Sequence, residues 1–248
     1  MDATTAVSTI AGPLGDLGAN FYFSKQAIAR GEAIGLDVIS LYGAGRASML
    51  GGVDPETADA IFYFFKPGVI AAVVTRGRSL ASEDAIAAAH LGAADDYAVD
   101  AFAAVDSATL GAFTDAVGAL VATVPSGSWP LFDGYRSAPA APTAAARAYR
   151  AAILLRELRG GVHTDAVKAT GLSPATACQF NRDRDLVNFK MHGFSEEDLV
   201  EYTPEIEAQQ AAAEAATTAQ MAALFAPLSQ TQLEAIVAGT NALVAALG

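Results

Sequence analysis

Val69-Ile70-Ala71-Ala72-Val73-Val74-Thr75 is the longest run of strand-favouring side chains in the chain, and its reading decides the fold. Residues branched at Cβ favour strands. The run nevertheless follows Pro67 and continues a helical pattern as readily as it opens a strand. Other runs of Val, Ile and Thr are scarce. Much of the 52% apolar content is alanine, the best intrinsic helix former. The chain is therefore expected to be all-α.

Working outward, Asp54-Pro55-Glu56 combines an N-cap acid, a proline at the first helical position and an acid at the positive helix end. The helix it starts should include Ile61-Phe62-Tyr63-Phe64-Phe65 and end or kink before Pro67. Upstream, helices are expected over residues 18–34 and 37–50, the second stopped by Gly51-Gly52. Downstream, Ser82-Glu83-Asp84 caps an alanine-rich helix to residue 104, and another spans 108–124. Residues 126–142 carry clustered Pro, Gly and Ser and read as a linker loop. The only tryptophan, Trp129, suggests that this loop packs onto something. Thr143 should cap a helix that Gly160-Gly161 closes at Arg159. Thr203-Pro204 and the Ser229/Gln232 capping box start two alanine-rich helices near the end. About nine helices follow from these signals. The organisation is an N-terminal helical domain (1–125), the linker (126–142) and a helical domain over 143–248.

The C-terminal half holds a helix-turn-helix-like segment. A short helix over residues 164–170 meets Gly171-Leu172-Ser173-Pro174, a tight turn with a fresh N-cap and N1 proline, and a second helix runs to about residue 183. That helix would present Thr176, Gln179 and Arg182, with Arg184 just beyond, types able to meet bases and phosphates. An ordinary αα-corner has the same signature. The chain passes almost directly from Phe194-Ser195-Glu196-Glu197-Asp198 to Thr203-Pro204, which leaves no room for a β-hairpin wing.

Charge is uneven. The net charge of −12 disfavours a general nucleic-acid surface. Residues 136–190 nevertheless hold 9 bases against 4 acids, while 191–248 hold 8 acids and no Lys or Arg. No stretch approaches the roughly 18 apolar residues of a membrane span. The start of the chain lacks a secretory pattern, and the single cysteine, Cys178, fits a cytoplasmic setting. His90, His163 and His192 stand in no metal-ligand spacing, so no metal is expected, and no cofactor motif is legible.

The N-terminal half offers a second cluster. Asn20-Phe21-Tyr22-Phe23 should start one helix, and Tyr42 and Arg46 share a face of the next. Phe62-Tyr63-Phe64-Phe65-Lys66-Pro67 closes a third. Arg46 is the only charge between Asp37 and Asp54, and it needs a partner if buried. These residues fit an aromatic pocket with polar anchors, suited to a planar or acidic small molecule. They also fit an aromatic core with a snorkelling arginine.

Together with Trp129-Pro130-Leu131-Phe132, the run Ala151 to Gly160, His163 and Gly171-Leu172, these motifs resemble an actinobacterial family of helix-turn-helix proteins. That family is similar to the MarR-type winged-helix regulators. The resemblance implies a related fold, and it implies that the counterparts of Tyr22, Arg46, Tyr63, Arg156, Arg159 and His163 are kept. Histidines of the family pattern are replaced here by Asn20, Lys66 and Leu158, and its wing is lost between Glu201 and Thr203.

Three functions compete. The first is a small-molecule binder with its pocket between the two halves, formed by Asn20, Tyr22, Tyr42, Arg46, Phe62, Tyr63, Lys66, Trp129, Arg156, Arg159 and His163. The second is an enzyme using the same pocket, with His163 or Tyr63 as acid–base and Arg46 or Lys66 as anion anchor. The third is a DNA-binding regulator. The terminal helices would suit a homodimer or would pack on the N-terminal half of the same chain.

Overall fold

The computed structural model describes residues 1–179 and 186–248. The deciding stretch is helical: Val69–Leu80 forms a helix whose start is stabilised from outside. The Asp59 carboxylate accepts hydrogen bonds from the backbone N–H groups of Gly68, Ile70 and Ala71 at 2.8, 2.9 and 3.2 Å. A carboxylate at that position satisfies orphan donors and complements the positive helix end. Gly68 takes φ +90°, so the chain turns sharply into the helix. Ile70 and Val74 are then buried against Ala47, Ala58, Phe62 and Phe65.

Thirteen α-helices, and no strand, occur among the described residues: α1 Ala3–Leu17, α2 Lys25–Glu32, α3 Val38–Ser48, α4 Pro55–Ile61, α5 Val69–Leu80, α6 Glu83–Ala101, α7 Ser107–Thr123, α8 Pro130–Arg136, α9 Ala144–Thr170, α10 Pro174–Gln179, α11 Val187–Met191, α12 Pro204–Phe225 and α13 Gln230–Ala245. The residues expected to start helices at Asp54, Ser82, Thr143, Thr203 and Ser229 all accept the backbone bond that caps them, and Asp37, expected as the first residue of its helix, is likewise its N-cap. No helix among them is long and apolar enough to cross a membrane.

Four expectations are corrected. The helix expected over 18–34 is two elements. α1, capped by Asp2, precedes it, and residues 18–23 turn before Ser24 caps α2, so Asn20 to Phe23 form a turn and start no helix. Pro13 inside α1 conceals that helix in the sequence, yet its stripe Ala6, Val7, Ile10, Leu14 and Leu17 is buried. α4 ends at Ile61, and Phe62 to Phe65 unwind into turns that bury Phe62 and Phe65. The stretch 126–142, expected as a loop, contains α8, which uses Pro130 in its first turn and buries Phe132 and Tyr135.

Finally, Gly160-Gly161 does not stop a helix. α9 continues through it for 27 residues, burying Ala152, Leu155, Leu158, Val162 and Ala166 along one face. That burial outweighs the roughly 1 kcal/mol per glycine of lost helix propensity. The stop comes at Gly171, which takes φ +79°.

α9 is the central helix and packs on α1, α6, α7, α8 and α12. One apolar core, from Ala6 to Leu243, draws on helices before and after residues 126–142. The inner faces of α12 and α13 are covered by α9, α7 and α1 of the same chain.

Candidate functional site

A cleft of about 1450 Å³ opens along α9. Its other walls are the end of α1, the turn at residues 19–23, α3, the aromatic turn at 61–65, and parts of α8, α10 and α12. Ten of the eleven residues expected in a pocket line it: Asn20, Tyr22, Tyr42, Arg46, Phe62, Tyr63, Trp129, Arg156, Arg159 and His163. Lys66 stands apart and pairs with Asp198 at 2.8 Å.

The charged end of the cleft is built on Glu157, which the sequence reading passed over. Arg46 is 7% exposed and Glu157 4%. Arg46 Nη2 donates to both carboxylate oxygens, at 3.0 and 2.9 Å, and Arg156 Nη1 also donates to Oε1. Burial alone would raise the Glu157 pKa, but Arg46 and then Arg156 hold it below the usual carboxylate range. The Arg46 guanidinium also lies 4.9 Å from the Phe62 ring centroid, 5.7 Å from Tyr22 and 5.8 Å from Tyr42, within cation–π range. Its Nε is buried and has no hydrogen-bond partner among the described residues.

Two arginines and one glutamate leave this group with one surplus positive charge. Arg156 carries it outward, with 24% of its side chain exposed and its Nη1 3.3 Å from the Tyr22 hydroxyl. Gly18 makes room for the Arg156 stem, since a Cβ there would lie 2.6 Å from Arg156 Cδ.

His163 lies two turns along α9 from Arg156. It stacks on Phe64 at 5.9 Å, with Nδ1 3.0 Å from Thr217 Oγ1. The Thr217 hydroxyl donates its only proton to the Ala213 carbonyl at 2.7 Å. His163 Nδ1 must then carry the hydrogen, which makes Nε2 an acceptor. Burial lowers the His163 pKa, Arg159 adds to the effect, and Glu214 opposes it, so the ring is neutral at neutral pH. Tyr63 donates its hydroxyl proton to the Leu172 carbonyl at 2.8 Å and so holds the helix-turn-helix turn against the aromatic segment. Trp129 Nε1 donates to Asp165 at 2.9 Å. Its ring packs on Gly161, where a Cβ would lie 2.5 Å from the indole.

The helix-turn-helix follows α9 through Gly171 into α10, where Ser173 Oγ accepts from the Thr176 N–H at 3.1 Å. Two residues expected to face DNA are engaged within the protein. Thr176 is buried, and the Gln179 amide makes two hydrogen bonds to the Val200 backbone, at 2.7 and 2.8 Å. Arg182 and Arg184 lie outside the described residues. Cys178 donates to the Phe64 carbonyl at 3.0 Å, and burial pushes its pKa up to about 12, so the thiol stays protonated.

The fold and this cleft define an all-α protein with a helix-turn-helix set beside a deep, partly charged groove. The chain belongs to a helix-turn-helix family, whose model matches residues 8–248. No curated protein matches the chain, and no solved structure does.

Proposed function

We propose that the protein binds a small molecule in the cleft along α9, on a MarR-like scaffold that has lost its wing. The surplus positive charge of the Arg46–Glu157–Arg156 group, in a cleft also lined by aromatic rings, carries this reading. Arg156, which carries that charge, is only partly buried and faces the cleft, where an anionic ligand would complete it. The lack of strands among the described residues supports the missing wing.

Trp129 is the only tryptophan and stands in the cleft wall, so its emission reports occupancy. Titration with a ligand should shift that emission, and Arg156→Gln should weaken the response at least about 10-fold, since a charged hydrogen bond is worth about 1.5–3 kcal/mol. Binding that is indifferent to Arg156→Gln would sink this placement of the ligand.

A second reading, a DNA-binding regulator, is favoured by the family. It predicts DNA affinity that collapses between about 50 and 200 mM salt. Absence of binding to mixed-sequence duplexes at the lower salt concentration would remove it.

A further inference from the structure

Gln179 has both ends of its side-chain amide engaged. Nε2 donates to the Val200 carbonyl at 2.7 Å, and Oε1 accepts from the Val200 N–H at 2.8 Å. An adenine in the major groove offers a glutamine the same pair, an acceptor at N7 and a donor at N6. Gln179 ends α10, the second helix of the helix-turn-helix, and that is the helix such motifs lay in the major groove. The Val200 backbone therefore fills the two hydrogen-bonding positions that a base would need.

Val200 belongs to a strap, residues 195–202, between α11 and α12. None of the strap is buried, and Leu199, Val200 and Tyr202 are 38, 40 and 47% exposed. It carries Glu196, Glu197, Asp198 and Glu201 and no basic residue, so it repels phosphate. Its ends are anchored: Phe194 packs on the Phe189 ring at 5.1 Å, and Thr203 caps α12. Between these anchors the ties are polar. Asp198 accepts from Lys66 Nζ with both oxygens, at 3.0 and 2.8 Å, and from the Ser195 N–H at 2.8 Å. The Lys66 and Asp198 side chains are both partly exposed, so that tie is weak. Lifting the strap uncovers no buried side chain of its own.

We infer that residues 195–202 are an autoinhibitory cover on the helix-turn-helix, with the Val200 backbone standing in for adenine on Gln179. The acidic side chains keep phosphate away until the strap lifts. Lys66 is the latch, because it joins Asp198 to the aromatic turn of the N-terminal half. This inference rests on the second, DNA-binding reading above and is indifferent to what the cleft holds.

The test compares wild type, Lys66→Met, Val200→Pro and the double variant. Hydrogen exchange over residues 195–202 reads the strap, and anisotropy of a labelled mixed-sequence duplex at about 50 mM salt reads DNA binding. Val200→Pro removes the donor to Gln179 without changing charge. Leu199 already has the extended backbone, φ −67° and ψ 136°, that a residue before proline needs. Lys66→Met removes a positive charge, so electrostatics alone would weaken DNA binding. Each single variant should instead tighten the weak binding of the wild type about 2–5-fold. The double variant should tighten it at least about 10-fold, with faster exchange over the strap. Adding Gln179→Ala to the double variant should lower the affinity again by about 5-fold or more.

Unchanged exchange over the strap in the double variant would overturn the latch and with it the inference. Faster exchange without tighter binding, in a wild type that binds DNA, would overturn the inference and leave the DNA-binding reading standing. Tighter binding that Gln179→Ala leaves untouched would overturn the role given to Val200. If the strap opens and neither the wild type nor the double variant binds the duplex, the inference and the DNA-binding reading fall together.

Discussion

Glu157→Leu is expected to destabilise the protein by about 3–5 kcal/mol, read as a lower urea midpoint at unchanged slope. The substitution leaves Arg46 buried without its carboxylate partner and places two like charges side by side. Arg46→Met should cost less, because Arg156 still answers Glu157. The double variant Arg46→Met/Glu157→Leu should recover most of the loss, since Arg156 is then free to turn its partly exposed guanidinium to water. Replacing a buried ion pair by apolar groups of similar volume is often neutral. The cycle should give a coupling of at least about 2 kcal/mol. Additive single effects would show that Arg46 and Glu157 do not act as a pair. The arrangement also separates two roles: Arg46 chiefly holds the fold and the aromatic box together, whereas Arg156 is the arginine that can be removed to test ligand binding.

The second large effect concerns acid. His90 is 1% exposed, with Nε2 2.7 Å from the Tyr135 hydroxyl and the Phe21 and Tyr22 rings at 5.2 and 6.1 Å. Burial, and then the charges of Arg46 and Arg150, lowers its pKa from 6.5 to about 3. Between those values the unfolded chain binds a proton that the folded protein refuses, so stability falls as pH falls from about 6.5 towards 3. A gap of that size is worth on the order of 5 kcal/mol. His163 is shifted in the same direction and adds to the loss, and Glu157 adds to it as pH falls through its own lowered pKa. His90→Gln keeps a polar partner for Tyr135 and should flatten most of the slope, whereas His163→Gln should flatten less of it. Equal slopes in the wild type and His90→Gln, measured by urea unfolding from pH 7 to 4, would exclude His90 as the main source.

The helix starts were legible in the sequence because a cap is a local event: Asp54 before Pro55, and Ser229 three residues before Gln232, carry their whole mechanism within one turn. The facing of Tyr42 and Arg46 was legible for the same reason, since residues four apart on a helix share a side. What escaped was non-local. The partner that Arg46 requires is 111 residues away, and nothing around Glu157 distinguishes it from a surface acid. Gly160-Gly161 reads as a stop because propensity is local, while the burial that carries α9 through it comes from helices distant in sequence. The indole that needs Gly161 comes from a stretch that read as loop. Gln179 read as a DNA contact because its Val200 partner lies beyond the turn motif. The aromatic and cationic members of the cleft were found, but not the carboxylate of Glu157 that joins its two arginines.

The central claim is that the cleft along α9 holds a small anionic molecule. A native mass spectrum of the purified protein, beside a denaturing spectrum of the same sample, tests it most directly, with wild type and Arg156→Gln in parallel. The account predicts one added ligand mass per chain on the wild-type protein, released on denaturation and depleted in Arg156→Gln. A wild-type spectrum showing only the bare chain, or an adduct that persists equally on the Arg156→Gln variant, would contradict it.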